Sequence, residues 1–80
     1  MKLNVDSPIK QQEIIDLLQA QEEPVYHFTG RNKVLRSQLQ FEVENIPDGM
    51  DVAAYTKNLI KSQPYGKSIV FRVLEEGKNW

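Results

Sequence analysis

The residues that could do chemistry in this chain are few, and they sort into a lone base and scattered cations. The only histidine is His27, and cysteine is absent. A histidine can serve as base or proton relay near neutral pH. Here it lies between Tyr26 and Phe28 in the run VYHFT, where a structural or exposed role outweighs proton transfer. Without cysteine there is no thiolate nucleophile, no disulfide and no Cys-based zinc or iron–sulfur site. A single histidine also rules out a multi-histidine metal site within one chain. Ser7, Ser37, Ser62 and Ser68 fall in no nucleophile-elbow pattern. Gly30, Gly49, Gly66 and Gly77 are dispersed singly, so neither a P-loop nor a dinucleotide fingerprint is present. Asp48, Gly49, Met50 and Asp51 lack the alternating ligands and closing glutamate of a calcium loop, and a turn followed by a helix cap is the better reading. The expectation is a non-enzymatic chain with no cofactor and no metal.

Arg31, Lys33 and Arg36 cluster around a turn and, with His27, are the candidate binding residues. They would grip an anion or nucleic acid, with Lys57, Lys61 and Lys67 in support. The formal net charge of -1 speaks against a generally basic nucleic-acid binder. Charge is distributed in blocks: residues 31–36 and 52–68 are basic, and residues 1–30 and 37–51 are acidic. Three basic residues at a turn are more often a solvated tip than a site, and a mixed solvated surface accounts for the blocks equally well.

The elements that must position these groups follow from periodicity. In residues 33–45, KVLRSQLQFEVEN, Leu35, Ser37, Leu39, Phe41 and Val43 share one parity, and the other is polar. This alternation is a long strand with one face on a core. The run 25–29 followed by Gly30, Arg31 and Asn32 predicts a hairpin into it, with a bulge near Ser37 where the longer arm outruns the shorter. Residues 2–6 alternate as a short first strand. Ser7 as N-cap and Pro8 at the first helical position predict a helix to about Ala20 or Gln21, with Ile14, Ile15 and Leu18, and Leu17 beside them, as its apolar stripe. Pro24 ends it. Residues 46–49, IPDG, form a turn. Asp51 as N-cap starts a second helix reaching Ser62 or Gln63, in which Val52, Tyr55, Thr56, Leu59 and Ile60 repeat at helical spacing. Residues 67–75, apolar on both parities, predict a last strand covered on both faces or central in the sheet, and residues 76–80 a tail.

The order β-α-β-β-α-β makes this an α+β chain of ferredoxin-like architecture, an antiparallel sheet with two helices on one face. A three-stranded α-β-β-α-β form is the alternative if the first strand is absent. Eighty residues leave room for one domain, residues 1–80. RNA-recognition domains share the element order and stack bases on aromatics of the first and third strands. Here those polar faces hold no aromatic, and Glu42 and Glu44 would repel phosphate. Nucleic acid is therefore disfavoured. No membrane span or signal peptide is visible, so a soluble cytoplasmic protein is expected. What remains is a protein-interaction or regulatory module that binds a protein partner or a second copy, as a homodimer, through a sheet edge.

Overall fold

The computed structural model describes residues 1–76. The tail expected over residues 76–80, Trp80 included, lies outside the described residues from position 77 on. The strands β1 (Lys2–Asp6), β2 (Val25–Arg31), β3 (Gln38–Glu44) and β4 (Arg72–Glu75) form one antiparallel sheet in the order β2-β3-β1-β4. Helices α1 (Gln11–Gln19) and α2 (Val52–Lys61) cover one face, α1 over β2 and α2 over β4. This is the ferredoxin-like α+β arrangement read from the sequence, and the short terminal strand β1 is central in it. No helix among the described residues is long and apolar enough to cross a membrane.

The alternation in β1 and β3 does what its period requires. Leu3 and Val5 pair with Phe41 and Leu39 and are buried beneath the helices, together with Val43. Lys2, Asn4, Gln38, Gln40, Glu42 and Glu44 face away from them and make a polar outer face without an aromatic on either central strand. From α1 come Ile14, Ile15 and Leu18, from α2 Val52, Thr56 and Ile60. Tyr55 and Leu59, expected on the core stripe, are half-buried at its margin. Asp51 caps α2 as expected, its carboxylate accepting the Ala54 amide at 3.2 Å.

Four local readings are corrected. The long strand begins at Gln38 instead of Lys33, and Leu35 is 55 % exposed instead of packed on the core. The ladder with β1 ends at Asp6, which pairs with Gln38, and a single further bond from the Ser7 amide to the Ser37 carbonyl is all that reaches further back. The Asn32 carboxamide oxygen accepts the amides of Val34 and Leu35 at 2.8 and 2.9 Å and folds residues 33–36 into a turn.

Helix α1 starts at Gln11, and Ser7 is not its cap. The Ser7 amide still bonds the carbonyl of Ser37 at 2.9 Å, extending the sheet, and its hydroxyl donates to the Ile9 carbonyl at 2.7 Å. Lys10, left-handed at φ 58°, occupies the cap position.

The bulge lies in β2 between Phe28 and Gly30, and not near Ser37. With it, β2 and β3 are equal in length at seven residues.

The last strand is shorter than expected and is an edge. A 3-10 turn occupies Pro64–Lys67, and Val70 is 85 % exposed.

A pH dependence arises from the core. The Thr56 hydroxyl donates to the Val52 carbonyl at 2.7 Å and accepts the hydroxyl of Tyr26 at the same distance. Burial pushes the Tyr26 phenol above its usual pKa of 10.0. The unfolded chain ionises first on the alkaline side, so stability is fully present below about pH 10 and is lost as pH rises through the folded value. Denaturant midpoints at about pH 8 and about pH 11 should show this fall. Tyr26→Phe should lessen it while costing about 0.5 to 1.5 kcal/mol at neutral pH. An unchanged alkaline slope in that variant assigns the effect elsewhere.

Candidate interaction surfaces

The two sheet edges differ in how they are guarded. β3 uses its odd residues to bond β1, as the Val43 amide to the Met1 carbonyl shows, and therefore its even residues to bond β2. Tyr26 and Phe28 then point their backbone groups outward. The Phe28 amide is taken by the side chain of Gln19 from α1 at 3.3 Å. The bulge beyond Phe28 twists the edge, and Arg31 is held across it, its Nε donating to Gln11 Oε1 at 3.0 Å with the guanidinium 5.7 Å from the Phe28 ring centre. Bulges and covering side chains are how edges are blunted.

At Val73 the β4 edge lacks these guards among the described residues. Glu76 donates its amide to the Lys2 carbonyl at 3.0 Å, so the even residues of β4 bond β1, and the amide and carbonyl of Val73 face out. At the stretch leading into β4 lies a groove of about 550 Å3 lined by Lys57, Lys61, Gly66, Lys67, Ile69, Val70 and Phe71. Lys57 and Lys61 stand one turn apart on the polar side of α2. The turn Pro64–Lys67 folds back on the end of α2 and brings Lys67 to them. Gly66 makes that approach possible, because a Cβ there would fall on the Ile60 carbonyl and within 2.7 Å of Lys61 Cα.

The topology also gathers charge. The α1 start, the hairpin loop, the α2 end and the β4 start all lie at one end of the sandwich, which collects Lys10, Arg31, Lys33, Arg36, Lys61, Lys67 and Arg72. The other end holds Glu22, Glu23, Glu44, Asp48, Asp51 and Glu76. Ion pairs among the described residues are Met1–Glu42, Lys10–Glu13 and His27–Glu44, and the carboxylates at the basic end are Asp6 and Glu13, so that cations outnumber acids there. Ile9, Val34, Leu35 and Val70, exposed and apolar, sit at this same end.

Of the residues expected to bind, Arg31, Lys33 and Arg36 do converge, with Asn32, on a depression of about 240 Å3. Arg31 is partly committed to Gln11 and Phe28, because the bulge turns it toward α1. His27 does not join them. It stands on the outer face opposite Glu42, exposed, with Nε2 3.6 Å from Glu44, an arrangement that water screens. The sequence reading ranked the α2 lysines as mere support and missed residues 69–71. The spacing of Lys57 and Lys61 was visible in it, but the arrival of Lys67 depends on the turn whose mark is Pro64, Tyr65 and Gly66. Neither a family model, a curated protein nor a solved structure matches the chain.

Proposed function

We propose that this protein is a non-enzymatic interaction module that receives an extended segment of a partner protein as an added strand on the outer edge of β4. The observation that carries the reading is the asymmetry of the edges: β2 is covered by Gln19, a bulge and Arg31, and β4 presents the backbone of Val73, with a groove at the stretch leading into the strand. Main-chain bonds along such an edge supply affinity, and adjoining pockets supply selectivity. Pairing with a second copy through β4 is the less favoured form of the same idea, because it would oppose two lysine-lined grooves.

A library of random linear peptides selected on the protein tests this. Binders are expected to shift the amide resonances of β4 and to lose binding to Val73→Pro, which removes an outward donor and leaves the bonds to β1 intact. Preserved amide dispersion verifies that the variant folds. A library yielding no binders, or binders indifferent to Val73→Pro that shift other residues, sinks the reading.

An anion contact through the hairpin is the second reading, favoured by the convergence of Arg31, Lys33 and Arg36. Oligonucleotides titrated in the same spectra should then move residues 31–36 and lose affinity steeply with salt. No shift at low salt removes it.

A further inference from the structure

Resting on the strand-addition reading, we infer that the segment received at β4 is acidic, with carboxylates alternating with apolar side chains. A strand laid along β4 sends successive side chains to opposite faces. On the helix side, toward the β4 start, they reach the groove lined by Lys57, Lys61, Lys67, Ile69 and Phe71. On the outer side they pass Arg72 and Leu74, which the register places with Asp6 and Asn4. Each face thus offers cations beside apolar surface.

Lys57, Lys61, Lys67 and Arg72 form no ion pair with a described residue. The Asp6 carboxylate, opposite Arg72, accepts the Ser37 hydroxyl at 2.6 Å. Cations left unpaired at a concave edge favour an anionic occupant, both in encounter and in register. Nucleic acid is anionic too, and bases can stack on an aromatic such as Phe71, but it cannot continue the backbone ladder at Val73. A second copy brings the same lysines to the seam. An acidic polypeptide satisfies the ladder, the floor and the charge together.

The peptide selection decides the matter. Sequences recovered on the wild-type protein should be enriched in Asp and Glu at alternate positions. Their affinity should fall about tenfold or more on Lys57→Glu/Lys61→Glu, both exposed positions, and should weaken with added salt. Selection on the doubly reversed protein should lose the acidic enrichment. Binders that depend on Val73 but show no acidic preference overturn this inference and leave strand addition standing. Acidic binders indifferent to the lysine reversal overturn it as well. If no binder depends on Val73, both fall.

Discussion

Phe41→Ala is expected to cost about 3 to 5 kcal/mol of folding stability, the usual range for emptying a buried phenylalanine site. Phe41 is 1 % exposed on the central strand β3, opposite Leu3 on one side and Phe28 on the other. Its ring meets Tyr26 edge-on at 6.4 Å between centroids and Phe28 at 5.5 Å. Such pairs add to simple burial, and the strands around the site are held by ladders on both sides, which limits collapse into the gap. Small domains have about 5 to 15 kcal/mol in total, so the variant should sit near the threshold of folding. Urea unfolding with an unchanged slope and a lowered midpoint is the readout. A loss under about 1.5 kcal/mol would mean the core is centred elsewhere.

Gly66→Ala should be the next most damaging change, at about 1 to 3 kcal/mol or somewhat more. The added methyl group collides with the Ile60 carbonyl and Lys61 Cα, both main-chain atoms at the end of α2 that cannot rotate aside. The turn Pro64–Lys67 must swing out, carrying Lys67 and residues 69–71 with it. Two signatures separate this from ordinary core loss. Amide resonances should move over residues 60–71 and stay in place in β2 and β3, and peptides selected at β4 should weaken by more than the fraction unfolded explains. A variant of wild-type stability would show that the turn yields freely and that the groove's shape does not depend on it.

Much of the architecture was legible because period and burial coincide. Leu3, Val5, Leu39, Phe41 and Val43 alternate and are all buried, and Asp51 has the residue type and the place of a cap. The failures have a common physical origin in competition between local signals and long-range bonds. Leu35 shares the parity of Leu39, but the Asn32 carboxamide claims the backbone of residues 34 and 35. Ser7 and Pro8 look like a helix start, but the Ser7 amide belongs to Ser37, thirty positions away. Residues 67–75 are apolar on both parities because some of them line a groove, and a strand buried on both faces gives the same pattern. The candidate site was legible only as ingredients. Lys57, Lys61 and Lys67 could be named, and so could the hairpin cations, yet their meeting at one end depends on strand order and on Gly66.

That gathering of cations has a consequence for how the molecule meets anything in solution. A chain of formal charge -1 would be taken for a mild anion, but along its strands it carries an electric dipole spanning a body of 31 × 28 × 23 Å. At physiological salt the field of each end reaches about 8 Å before it is screened, less than the length of the body. A molecule approaching the β4 start therefore senses a cation, and one approaching the opposite end senses an anion. A charged molecule is turned by this dipole before it touches, so that the direction of approach is set by the fold before any contact is made.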